Sequence, residues 1–405
     1  MLEIKNAYAL NRQIINLSIP SADNLSINAE GLTLFPGLID PHVHFRTPGM
    51  EHKEDWRTAA HAAIRGGYTT VFDMPNTIPP TVTKDLLRDK KALINVQLKE
   101  AGIPLRYELY FGADKHHLDE IQHVVNDVIG IKVFMGCSTG NLVVDDDESL
   151  HRVFDIAAQH RMLVAVHAED ETLIKERKVK YKDARQYCDH SVIRNRDVAA
   201  RAVEKAIALT KHYGTRLYIL HASTADEIAL IKQAKIDGLP VFAETTPHHL
   251  FLDENAYDTL QGRAVVNPPL RAASDTDALW HAVGDGTIDT IGSDHAPHLS
   301  HEKAKPYGEC PSGMPGIETT LPLLITAYRD GLLSLERIIE LTCTRARTIF
   351  GLAANADVVL VDMNNTKRVC AADLKTKCAW SAFEGRDLFG WPRHVIMDGL
   401  HFEIY

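Results

Sequence analysis

The stretch GLIDPHVHFRTPGMEHKEDW, Gly37 to Trp56, closes an apolar run with two histidines one residue apart, His42 and His44, and sets Arg46 just beyond them. In an extended segment alternate side chains share a face, so these three are predicted to point the same way. Paired imidazoles at a strand end are the start of a metal site, and a guanidinium next to them can clamp an anion.

The same grammar recurs along the chain. LIDPHVH, TTVFDMPN, LRYELYFG, GIKVFMG, MLVAVHAED, RLYILHAST, PVFAETTPHHL and DTIGSDHAPH are β-rich runs, each followed by a loop and then a longer segment. In Glu54–Arg65, Asp147–Arg161, Arg196–Tyr213 and Ala225–Ala234 the apolar positions return every three to four residues, the period of a helix. Eight alternating units, with runs as continuously apolar as LVAV and LYIL, predict a closed parallel (β/α)8 barrel spanning residues 37–351. An open doubly wound sheet is the alternative, but no glycine-rich dinucleotide fingerprint follows the first strand.

The ends differ from the middle. Residues 1–36 carry short alternating runs, and ADVVLVDM followed by HVIMDGLHFEIY repeats that character. Residues 1–36 and 352–405 are therefore expected to pair as a small composite β domain. Long loops near 73–83, 170–193 and 299–316 each follow a proposed strand, on the face where barrel sites are built. The last carries Gly308, Gly313 and Gly316, which suits either a mobile lid or an ordinary ordered connection.

Bulk properties exclude several classes. A formal net charge of −10 without any block of lysine or arginine argues against a nucleic-acid or anionic-membrane surface. The six cysteines form no CxxC pair, so neither a disulfide framework nor a thiolate zinc site is expected. Met1–Pro20 alternates polar and apolar residues as a strand does, unlike a signal peptide, and no apolar run reaches the roughly 18 residues of a membrane span. A cytoplasmic enzyme acting on a small molecule is the expectation.

His42 and His44 close the first run, Lys132 lies in the fourth, His167 closes the fifth, His221 the sixth and Asp294 the eighth. In a barrel those ends meet on one rim. Four imidazoles and a carboxylate suit two divalent cations, with zinc fitting the ligand mixture and manganese, cobalt or iron also compatible. Lys132 alone reads as a salt-bridge lysine; as a neutral amine converted by carbon dioxide to a carbamate, it would offer two oxygens to a pair of ions.

GLIDPHVHFRTPG, MPNT, IKVFMG, HAED, LHAST, NPPLR, GSDHAPH and GMPGIET together resemble the amidohydrolase superfamily, and within it the long-chain dihydroorotase family. The resemblance implies two zinc ions bridged by Lys132 carboxylated on its side-chain nitrogen. His42, His44 and Asp294 would hold one ion, His167 and His221 the other, with Asp294 as general acid and base. It implies N-carbamoyl-L-aspartate and dihydroorotate as substrates in pyrimidine biosynthesis, contacted by Arg46, Asn76, Asn267, Arg271 and His298, and a fold that commonly forms homodimers. Some relatives place aspartate where this chain has Lys132. Allantoinase and dihydropyrimidinase share the ligand set and are the nearest alternatives, although their substrates lack the carboxylate that Arg46 would serve. A non-catalytic scaffold relative should show gaps in the ligand set, and here all six positions are filled.

Overall fold

A computed structural model of the chain describes residues 1–22, 24–137 and 142–404. The chain starts in a sheet to which it later returns. β1 (Leu2–Tyr8), β2 (Ile14–Ile19), β3 (Leu25–Asn28) and β4 (Leu32–Pro36) come first; Leu2 and Ile4 of β1 alternate inward, and a register shift before Ala7 buries that residue as well. The parallel set follows: β5 (Leu38–Val43), β6 (Tyr68–Asp73), β7 (Arg106–Gly112), β8 (Gly130–Phe134), β9 (Leu163–His167), β10 (Arg216–Ile219), β11 (Val241–Thr245) and β12 (Thr290–Ile291). β13 (Val358–Arg368), β14 (Asp387–Met397) and β15 (Leu400–Glu403) then complete the first sheet, in the order β15-β14-β13-β4-β1-β2 with β3 on β1.

β5 to β12 run side by side in chain order, every pair parallel. β5, β6, β8 and β9 are buried along their whole lengths, as strands covered on both faces must be. The ring of strands closes where Val43 bridges to His295 and the His44 amide donates to the His295 carbonyl at 2.8 Å. Phe350 packs edge-on against Phe72 and Tyr218, with ring centres 4.9 and 5.1 Å apart. The helical periodicity is realised in Trp56–Arg65, Asp147–Gln159, Arg196–Tyr213 and Ala225–Ile236. Asp55 caps the first of these, its carboxylate accepting from the amides of Arg57 and Thr58.

Two strands stop earlier than their sequence suggests. β5 ends at Val43, and the eighth barrel strand is only Thr290–Ile291, so Asp294 stands past its end. Arg46, His221 and Asp294 all have positive φ, at 62°, 40° and 45°. The left-handed backbone costs a non-glycine residue of order 1 kcal/mol or more, and here it turns the chain where an extended strand would run on. The shared orientation of His42, His44 and Arg46 is therefore not that of one continuous strand.

The two sheets join at Gly37. Its amide donates to the Asp357 carbonyl at 2.8 Å, and a Cβ there would lie 2.3 Å from Thr69 Oγ1 and 2.7 Å from Asp357 Cβ. A second tie comes from residues 375–380. Glu54 accepts from Thr376 Oγ1 at 2.6 Å and the Lys377 amide at 3.0 Å. Glu318, pushed up to about 7 by burial, accepts from the amides of Lys375 and Thr376, and Trp380 Nε1 donates to the His298 carbonyl at 2.7 Å. No helix among the described residues is long and apolar enough to cross a membrane.

Gly37→Ala should lower stability by about 1–3 kcal/mol, because the methyl group meets the short, buried side chains of Thr69 and Asp357 close to their own backbones. Urea unfolding measures this directly. An unchanged midpoint would show that the junction relaxes.

Candidate metal centre and substrate site

The residues singled out in the sequence meet at the C-terminal ends of the barrel strands. His42 Nε2 and His44 Nε2 lie 3.2 and 3.1 Å from the same Asp294 oxygen. These three residues form a compact set of nitrogen and oxygen donors able to hold a metal ion. His167 Nδ1 and His221 Nε2 face each other at 2.9 Å, and the His42 and His221 rings lie 5.4 Å apart. Lys132 projects from β8, wholly buried, with Nζ 4.5 Å from the Phe134 ring centre.

Burial sets the charge states. It lowers His42 to about 3 and His44 to about 4, and lowers His167 and His221 as well, so all four are neutral imidazoles at physiological pH, the ligating form. Lys132 is lowered by the same desolvation to about 7, and its Nζ makes no hydrogen bond among the described residues. Asp294 is the anion of the group. The donor set fits divalent cations: neutral imidazoles converge on a carboxylate, and a buried amine has no hydrogen-bond partner among the described residues.

Around these side chains lies a layer in which the sequence singled out only Asn76, and that as a substrate contact rather than a partner of His44. His42 Nδ1 is 2.8 Å from Glu244 Oε1, and His167 Nε2 is 2.9 Å from Glu169 Oε2. His44 Nδ1 is 2.8 Å from Asn76 Oδ1. Each contact holds a ring by its far nitrogen and turns the near one inward, the usual support for ligating histidines. Glu244 also accepts from Tyr218 at 2.9 Å and is pushed up to about 8 by burial. It fits only because residue 292 is glycine, where a Cβ would lie 2.4 Å from the carboxyl group. Glu169 is paired with Arg194. Asp40 reaches across the closure, accepting from the amides of His42 at 3.2 Å and Ser293 at 3.0 Å. Glu169 stands two residues past His167, on the same face of an extended segment, and that spacing was a readable signal.

The anion side is also assembled. Arg46 is buried, with Nε donating to the Pro297 carbonyl at 3.1 Å and Nη2 lying 3.1 Å from His298 Nε2. Burial lowers its guanidinium to about 10, still a cation. Asn76 is turned to His44, as a partner of a candidate ligand. Asn267 Oδ1 lies 2.9 Å from His190 Nε2, and Arg271 donates from Nε to Ser223 Oγ at 3.2 Å and from Nη1 to the Arg194 carbonyl. Arg271 Nη2 is buried with no hydrogen-bond partner among the described residues. The segment 299–316 is pinned: Lys303 is buried and donates to the carbonyls of Val265 at 2.9 Å and Pro311 at 2.6 Å. The described cysteines are all free.

The amidohydrolase family matches residues 33–398. A dihydroorotase from Methanosarcina acetivorans is 34% identical over 94% of this chain and 83% of its own length. One from Halobacterium salinarum is 36% identical over 87% and 82%. Among solved structures, the L-hydantoinase of Arthrobacter aurescens superposes with a TM-score of 0.91 at 28% identity, covering 99% of this chain and 95% of that one. Family, architecture and metal-competent donors agree, and the chain belongs to the amidohydrolase family, with the dihydroorotases among its relatives.

Proposed function

We propose that the chain is a dihydroorotase, interconverting N-carbamoyl-L-aspartate with L-dihydroorotate and water in pyrimidine biosynthesis. The observation that carries this reading is the meeting of His42, His44 and Asp294 beside a buried guanidinium, Arg46, in a chain about a third identical to dihydroorotases over most of its length. His42, His44 and Asp294 would hold one divalent ion, His167 and His221 a second, and Lys132 would bridge them as its carbamate. The mixture of nitrogen and oxygen ligands favours zinc. The carbamate is supported by Lys132 itself: with a pKa of about 7, about half of it is neutral at pH 7, and only the neutral amine adds carbon dioxide.

When bound, such ions lower the pKa of a shared water toward neutrality and polarise the ring carbonyl. Asp294 takes the proton from the attacking water as its oxygen bonds to the carbonyl carbon. It then delivers that proton to the ring nitrogen as the carbon–nitrogen bond breaks. Cyclisation reverses these steps. Arg46 and His298 grip the carboxylate that survives ring closure and so hold the scissile amide in register. Arg271 Nη2, a buried donor without a partner, would serve a further substrate oxygen, and Asn267 lines that side. Asn76 would act chiefly by orienting His44.

A second reading, hydrolysis of an uncharged cyclic amide, is favoured by the hydantoinase names of the structural neighbours. It gives Arg46 no anion to bind. Assays with dihydroorotate, dihydrouracil and allantoin decide between them, and turnover of dihydrouracil in preference to dihydroorotate would defeat the dihydroorotase reading. Purified protein should carry about two divalent ions per chain by mass spectrometry and lose activity to a chelator; a metal-free, inactive protein would point to a scaffold. Arg46→Ala should raise KM for dihydroorotate at least about thirtyfold while turnover changes less. Asp294→Ala should retain metal on the remaining ligands and lower turnover by about 10²–10⁴-fold, and full activity in that variant would remove the proton-transfer role.

A further inference from the structure

Lys53 reaches from the loop after β5 to the loop after β12, where its Nζ lies 2.9 Å from Glu302 Oε1 and 3.0 Å from His298 Nδ1. A lysine paired with a glutamate carries an ammonium group, which has three donors and no lone pair. His298 Nδ1 must therefore accept. A neutral imidazole that accepts at one nitrogen carries its proton on the other, and Nε2 lies 3.0 Å from the Ser312 carbonyl, which can only accept. The ring is neutral, because burial and then Arg46, Lys53 and Lys303 hold it well below the usual histidine range. Nε2–H and Arg46 Nη2, 3.1 Å apart, are then two donors side by side with no lone pair between them. Neither can satisfy the other: Arg46 Nη2 suits a carboxylate oxygen, and Nε2–H can reach the same carboxylate by sharing its bond to the Ser312 carbonyl.

We propose that Lys53 is a positioning residue that fixes His298 as its Nε2–H tautomer, so that His298 and Arg46 together present donors to the substrate carboxylate. Without the ammonium group, the imidazole proton can move to Nδ1, which lies 3.9 Å from Glu302 Oε2. Nε2 would then offer its lone pair to Arg46, and the protein would occupy the guanidinium meant for the ligand. Lys53 thus sets the polarity of the clamp without touching the substrate. The kinetic part of this proposal rests on the dihydroorotase reading; the tautomer does not.

Nitrogen NMR of the full chain with labelled histidine reads the tautomer, the His298 signals being those lost in His298→Asn. The wild type should show Nδ1 unprotonated and Nε2 protonated. Lys53→Met should move the proton to Nδ1 and raise KM for dihydroorotate about tenfold to hundredfold, with kcat changing less than about threefold. Glu302→Gln breaks the ion pair between the two loops but leaves the ammonium group, so the tautomer should be unchanged and KM should stay within about threefold of wild type. A wild-type His298 protonated on Nδ1 would overturn the proposal even if Lys53→Met fails to fold. So would Glu302→Gln raising KM as much as Lys53→Met, since a loop cross-link would then explain both. If no form turns over dihydroorotate, the substrate reading fails and the wild-type tautomer still decides the role of Lys53.

Discussion

The structure depends on the closure between its first and last barrel strands. β5 and β12 lie more than 240 residues apart in the chain, and β12 is too short to supply a ladder. What holds the edge is a handful of polar contacts: the His44 amide on the His295 carbonyl, the Ser293 amide on Asp40, and His42 and His44 on Asp294. An open edge here would leave backbone donors and acceptors buried without partners. The candidate metal ligands thus stand on both sides of the seam, and closing the barrel and assembling the site are one event.

The polar interior is tolerable because its candidate ligand histidines are answered by buried partners. Glu244, Glu169 and Asn76 occupy the outward nitrogens of three histidines, leaving the inward nitrogens to converge. Arg194 offsets the buried charge of Glu169. Lys132 Nζ and Arg271 Nη2, two of the buried atoms without a hydrogen-bond partner among the described residues, stand where a modification or ligand would sit. Three residues with left-handed backbone, His221, Asp294 and Arg46, stand there too.

Much of this was legible in the sequence. The eight apolar runs gave the barrel because buried parallel strands must be continuously apolar, and the histidines ending them gave the rim. The alternating termini gave the second sheet. The length of β12 was not legible, since GSDHAPH carries no signal that distinguishes a strand from a loop pinned by side chains. The placing of Arg46 was legible only in part: its neighbourhood followed from its proximity to HxH, but the left-handed turn that delivers it has no glycine to announce it. Glu244 was missed because its partner, His42, is 202 residues away, and a buried acid reads as unremarkable until the partner is in place. Lys53 was passed over for the same reason, its contacts with Glu302 and with His298, 245 residues away, spanning two loops.

Residues 375–380 close over Glu54 and Glu318, and Trp380 holds the carbonyl of His298. On a ribosome, all the candidate ligands emerge well before this segment does. The nascent chain therefore passes through a stage in which every chemical group of the site exists but the loop carrying His298 lacks its anchor. Two acidic side chains are then still waiting for the amides they will bury against. Competence should arrive late in synthesis, with the return of the chain to the sheet it began.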